Sequence, residues 1–300
     1  MHRLVPVAFL VTLATWSVYA HAQTPGSVQG LKDRGTRGIF LPGRQWDLLG
    51  EGYHLTGDST VDRIGTVYFT DARRNRILKI DLDGAIKTFR EHTNGAHGVA
   101  LGADGRLYVG QHDRKRIAAL SSDGRESVIT EGVQSHHLIV TSRNHIYFTV
   151  PPNHQVWLAD AVGQKRVVHK GLKWPRGVRA SPDESFLVVN DPPTKWVWSF
   201  QIEANGSLAK GRRYCRLETK SDSSETDAGG MAFDSEGFLY VATNIGVQVC
   251  DRQGRVTAVI DAPGESVSAV FFGGPGLQWL YVTDGDKVWR RPAKRRGAAR

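Results

Sequence analysis

Cysteine is scarce, acid is outnumbered, and the short motifs that mark several common catalysts are missing. Cys215 and Cys250 are the only two cysteines in 300 residues, too few for a disulfide-built scaffold or a cysteine-rich metal domain. No C-x-x-C, H-E-x-x-H, G-x-S-x-G or Walker loop occurs. A redox dithiol, a zinc-protease helix, a serine-hydrolase elbow and a phosphate-cradling loop are therefore excluded in their usual forms. Beyond the first 22 residues no apolar run is long enough to span a bilayer. Lys and Arg outnumber Asp and Glu by 39 to 30, for a net charge of +9.

Part of that charge lies at the ends. The opening MHRLVPVAFLVTLATWSVYAHAQ has a basic start, an apolar run from Leu4 to Val18 and an Ala20-His21-Ala22 site. It reads as a signal peptide over 1–22, cleaved near Ala22, which predicts a periplasmic or secreted protein. Residues 23–37 read as a flexible arm, 38–292 as the folded body and 293–300 as a basic, solvated tail. Export argues against nucleic acid as a partner, whatever the net charge. It also exposes both cysteines to oxidising conditions. They are expected on the outermost strand of a fourth repeat and the third strand of a fifth, where either a disulfide or two separately buried thiols would be consistent with the sequence.

What the chain has in abundance is repetition. The stretch DRIGTVYFTDARRNRILKIDLDG (Asp62 to Gly84) pairs a strand with a second strand across a turn and stops at Asp-Gly. The pattern returns from Gly102, Thr141, Ser181, Asp234 and Gly274. Tyr68, Tyr108, Tyr147, Val188, Tyr240 and Tyr281 mark its register, with steps of 40, 39, 41, 52 and 41 residues. A period of about 40 made of strands and turns is that of a propeller blade. Each copy has an alternating run before it and another after it, so the prediction is an all-β, six-bladed propeller with four antiparallel strands per blade. The last copy lacks an outer strand, and the segment RGIFLPGRQWDLL is expected to supply it, so that ring closure leaves no naked edge.

In such a ring the starts of the innermost strands converge at one mouth. Taken in order, those positions give Gly57 with Asp58, His97, His136 with His137, Arg176, Gly229 with Asp227 nearby, and Ser268. His97, His136, His137 and Arg176 are the candidate catalytic residues, with Asp58, Asp227 and Ser268 as candidate substrate contacts. Neutral imidazoles at His97, His136 and His137 would suit a transition metal; protonated ones beside Arg176 would hold an anion. His54, His112 and His154 read as rim or surface residues.

The stretches NRILKIDLDG, HGVALGADGRLYVGQ, RGVRASPDESFLVV and GGMAFDSEGFLYVATNIGVQVCD resemble blades of the SMP-30/gluconolactonase/LRE family from about Gly50 to Thr283. The resemblance implies a six-bladed propeller whose channel holds one divalent metal, usually calcium, and which hydrolyses lactones of sugar acids. Where that family has the glutamate of E-G-P, this chain has Gly57-Asp58-Ser59. The asparagine of P-N-D is matched by His136, with His137 after it; P-N-G becomes Pro175-Arg176-Gly177, and A-D-G-M becomes Ala228-Gly229-Gly230-Met231. The substrate-contacting A-N-G becomes Ala96-His97-Gly98. Gly57, Arg176 and Gly229 at ligand positions disfavour calcium, unless Asp58 and Asp227 replace the lost carboxylates. The expected function is an exported lactonase-like hydrolase acting on a lactone or related sugar-acid ester at a His/Arg-lined pocket. The alternative is a non-catalytic propeller that binds an anionic small molecule, its calcium site lost.

Overall fold

The computed structural model describes residues 33–54, 56–264 and 266–298. The expected signal peptide and the start of the expected arm lie outside the described residues. Where the arm is described, Arg34 exchanges two backbone hydrogen bonds of 2.9 Å with Val259. Among the described residues no helix is long and apolar enough to cross a membrane.

Six antiparallel sheets of four strands follow one another along the chain. Their first strands are Thr56–Val61, Ala96–Leu101, Leu138–Val140, Val178–Ala180, Met231–Phe233 and Val267–Gly273. These strands touch their counterparts in neighbouring blades in succession, and the sixth returns to the first, closing the ring. The closure runs as the sequence predicts: Asp47–Gly50 pairs antiparallel with Lys287–Pro292 as the outer strand of blade six, Leu48 opposite Trp289. The step of 52 residues belongs to blade four, whose outer strand Leu208–Arg216 is nine residues long and is followed by a loop before Met231.

Burial follows position in the blade. The second strands Leu107–Gln111 and Leu239–Thr243 are buried at every residue, because a neighbouring blade covers each face of the sheet. The outer strand Glu126–Glu131 is mostly exposed and polar. The apolar side chains accordingly gather in six clusters, one at each interface between blades. Tyr240 of blade five, for example, meets Phe272 of blade six edge to face with ring centres 5.0 Å apart.

Two features lie outside the repeat. Cys215 and Cys250 form a disulfide across the interface of blades four and five, both fully buried. The C-terminal residues, expected to be solvated, are docked instead as far as Ala298. Arg295 donates to the buried carboxylate of Asp234 at 2.8 Å, and Ala298 N–H donates to Phe233. The guanidinium also lies 3.9 Å over the ring of Phe238, which explains why this basic tail is held rather than free.

Candidate active site

In blades one, three and four the start of the inner strand is fastened by a side chain from the second strand of the same blade. Thr70 Oγ1 accepts Asp58 N–H at 3.2 Å and donates to the His97 carbonyl of the next blade at 2.8 Å. Thr149 repeats this between His137 N–H and the Arg176 carbonyl, at 3.2 and 2.6 Å. Asn190 repeats it between Gly177 N–H and the Gly229 carbonyl, at 3.0 and 2.6 Å. Neighbouring blades are thus joined at the mouth by bonds that also satisfy buried backbone groups. The result is close approach: a Cβ on Gly177 would lie 2.3 Å from Gly229 O, and one on Gly229 would lie 2.1 Å from Ser268 O.

On this frame the histidines of blades two and three come together. The ring centres of His97 and His136 are 4.2 Å apart, those of His136 and His137 4.9 Å, and those of His97 and His137 6.0 Å. His97 Nδ1 is 2.9 Å from the His136 carbonyl oxygen. A carbonyl only accepts, so Nδ1 carries the proton and Nε2 is left as the basic nitrogen. His112, read from the sequence as a rim residue, stacks on His97 at 5.2 Å with its Nε2 donating to Ser135 O at 2.6 Å. The Nδ1 of His136 is buried without a hydrogen-bond partner in the protein.

Burial, reinforced by the neighbouring imidazoles of His137 and His112, lowers the His97 pKa from 6.5 to about 3. Burial also lowers His136 well below 6.5, with His97, His137 and Arg176 adding to the effect. Both are therefore neutral at neutral pH. This has a consequence for stability. In the unfolded chain these imidazoles protonate near 6.5, whereas in the fold they resist protonation, so between pH 6.5 and about 3 the unfolded state binds more protons. Their contribution is whole above 6.5 and is lost progressively as pH falls through that window. Thermal melts should show Tm dropping between pH 7 and 5, above the range of ordinary carboxylates, with a smaller drop in His97→Gln. An equal drop in both proteins would show that His97 carries none of the effect.

Below the histidines sits Asp58, 3% exposed. One of its oxygens accepts Ser59 N–H at 2.9 Å and lies 3.3 Å from His137 Nδ1; the other faces Val99 N–H at 3.4 Å and Leu138 N–H at 3.5 Å. Burial alone would raise this carboxyl, but His137 and Arg179 outweigh it and the net pKa is lowered. Arg179 reaches across the axis, donating from Nε to Met231 O at 2.6 Å and from Nη2 to Ser59 O at 3.4 Å. Strand pairing places Arg179, Ala100 and Ala232 opposite the register marks Val188, Tyr108 and Tyr240. A superposition of the inner-strand segments would have shown a charged residue where two other blades have alanine.

The remaining sequence candidates are placed as follows. Arg176 opens blade four beside His136, and its Nη1 lies 3.7 Å from the exposed carboxylate of Asp227. Ser268 pairs with Thr283 Oγ1 at 2.8 Å within blade six. His54 and His154 stand apart from the cluster by their contacts: His54 N–H donates to Asp71, and His154 Nδ1 to Lys173 O. A channel cavity of about 320 Å³ lies at the opposite ends of the inner strands, lined by Arg179, Phe233, Phe271 and Ala298 among others but by none of the histidines.

The donor set does not suit the metals considered from the sequence. Among the described residues no three His, Cys, Asp or Glu side chains form a group able to hold a metal ion. The three imidazoles gather as expected but do not converge as ligands, because His137 is turned to Asp58 and His97 Nδ1 to a carbonyl. Calcium would need carboxylate and amide oxygens. Position 229 has no room for a side chain, Arg176 brings a cation, and the oxygens of Asp58 already face four donors.

A family model described as the SMP-30/Gluconolactonase/LRE-like region matches residues 56–285. The chain is 26% identical over 230 residues to a gluconolactonase of Zymomonas mobilis, an alignment covering 67% of this chain and 64% of that protein. The chain thus spans slightly under two thirds of that relative's length. It is 25% identical over 236 residues to a pentonolactonase of Haloferax volcanii, covering 73% of this chain and 79% of the relative. The solved structure of a gluconolactonase from Xanthomonas campestris superposes with a TM-score of 0.75 at 21% identity, covering 91% of this chain and 99% of that one, a likeness of fold.

Proposed function

Because the chain belongs to the SMP-30/gluconolactonase/LRE-like family, we propose that it is a lactonase-like hydrolase whose reaction takes place at the His97, His136 and Arg176 mouth. The observation that carries this reading is the fixed tautomer of His97: a neutral imidazole with Nδ1–H held by a backbone carbonyl and Nε2 as its basic nitrogen. That is the arrangement of an oriented general base.

The chemistry follows from the residues present. His97 Nε2 takes a proton from water as the water oxygen bonds to the lactone carbonyl carbon. The carbonyl oxygen becomes an oxyanion that the Arg176 guanidinium stabilises. Collapse breaks the ring C–O bond, and the imidazolium returns its proton to the leaving alkoxide, giving an open hydroxy acid. His136 packs against His97 as a neutral ring and so adds no charge beside the base. Asp58 acts through His137 and holds the floor of the site.

Sugar-acid lactones are the favoured substrates, since the two curated relatives are named for gluconolactone-type and pentonolactone-type hydrolysis. The partner is a small molecule and not nucleic acid. Export to the periplasm or beyond is part of the same proposal, supported by the leader sequence and by a buried disulfide, which oxidising surroundings preserve. A second reading, binding of an anionic small molecule without turnover, draws support from the absent carboxylates at positions 57 and 229.

A panel of aldono-lactones assayed by acid release tests the proposal. At least one should open faster than its spontaneous hydrolysis in proportion to protein concentration. Background rates across the panel would leave the binding module as the better reading.

A further inference from the structure

We infer that the cation serving this site is the protein's own Arg176 rather than a divalent metal, and that the mouth is built to hold the carboxylate of a sugar acid. The inference rests on the lactonase reading for its substrate class and deepens it. Four observations support it independently of any activity. The guanidinium stands at the rim of blade four with its backbone fixed from both sides, since Arg176 N–H donates to Asn190 O at 3.1 Å and its carbonyl accepts from Thr149. Its carboxylate neighbour is loose: Asp227 Oδ1 is 3.7 Å away on a side chain 56% exposed, and the other Asp227 contact, to its carbonyl, is 3.5 Å long. A bidentate ligand carboxylate would make shorter, charge-assisted bonds and displace that contact readily.

The third observation is that the backbone has closed over the position where a carboxylate ligand would have to stand. A Cβ on Gly229 meets Ser268 O at 2.1 Å, so an aspartate there would force two inner strands apart. Fourth, the buried carboxylate at the mouth is already neutralised. Asp58 is paired with His137 and faces the N–H groups of Ser59, Val99 and Leu138, which leaves it no lone pair aimed at an added cation. The neutral imidazole of His97 offers its Nε2 as an acceptor to a hydroxyl of the same ligand. Together they describe a site that recognises a hydroxy carboxylate: one guanidinium on a fixed backbone for the charge and a ring nitrogen for a hydroxyl.

The test uses the mature protein treated with EDTA and dialysed, with thermal shift and titration calorimetry as readouts. Sodium D-gluconate should raise Tm, whereas calcium chloride should not, and metal analysis of the protein purified without chelator should find no stoichiometric calcium. Arg176→Gln should weaken gluconate about tenfold to a hundredfold, with Arg176→Lys between it and the wild type, which guards against misreading a folding defect. Stoichiometric or stabilising calcium overturns the inference, as does an unaltered gluconate affinity in both variants or no gluconate response in the wild type. The two readings fail separately. Gluconate binding without lactone turnover removes the hydrolase and leaves this inference standing, while calcium-dependent turnover keeps the hydrolase and removes the inference.

Discussion

Replacing His97 by glutamine is expected to lower kcat for lactone hydrolysis by about 10²–10⁴-fold, the usual worth of a positioned general base. KM should move much less, because glutamine retains a hydrogen-bonding group of similar reach at the same place. With Nδ1–H committed to the His136 carbonyl, the proton can be accepted only at Nε2, and glutamine has no basic nitrogen to replace it. The pH profile gives a second readout. With its pKa lowered to about 3, His97 stays unprotonated far into acid, so the wild-type acid limb should lie well below pH 6.5. Steady-state rates across pH 4 to 8 check both points. A His97→Gln protein that melts normally and keeps its full rate would remove His97 from the mechanism.

The largest expected loss of stability comes from Asp58→Asn, about 3–5 kcal/mol in urea or guanidinium unfolding. Asparagine has almost the same shape but no charge, so His137 and Arg179 would be left facing a neutral group in the middle of the ring. Its amide nitrogen would also point donors at N–H groups that now face carboxylate oxygens, whichever way the amide turns. The double variant Asp58→Asn with Arg179→Met should recover part of the loss, because it removes the guanidinium whose charge was left uncompensated. A loss under about 1 kcal/mol, or strict additivity of the two changes, would show that the buried charges do not act as a unit.

These two residues also show where sequence reading succeeds and where it stops. His97 and Asp58 were recognisable because each stands at the start of an inner-strand segment, and a ring of equivalent segments brings such positions together. His112 was passed over as a rim residue because it lies on a hairpin turn, and nothing in the sequence says that the turn folds its ring flat against His97. Thr70, Thr149 and Asn190 were missed for a different reason. They look like ordinary strand residues, and their double bonds to one blade and the next exist only once two blades are side by side. The docked tail was misjudged because its basic composition resembles that of a solvated end, while its anchors, Asp234 and Phe238, lie more than fifty residues away in sequence.

The amino-acid order by itself determined the number of blades, the strand order within each, the strand that closes the ring, and which residues open the inner strands. It could do so because alternation and period are local properties, repeated six times. The tertiary structure alone decided which nitrogen of His97 is basic, that His97 and His137 are turned to different partners, that Asp58 is fully engaged, and that the two cysteines are joined. Those outcomes depend on separations of a few ångströms between groups on different blades, and such separations are set by packing around the axis.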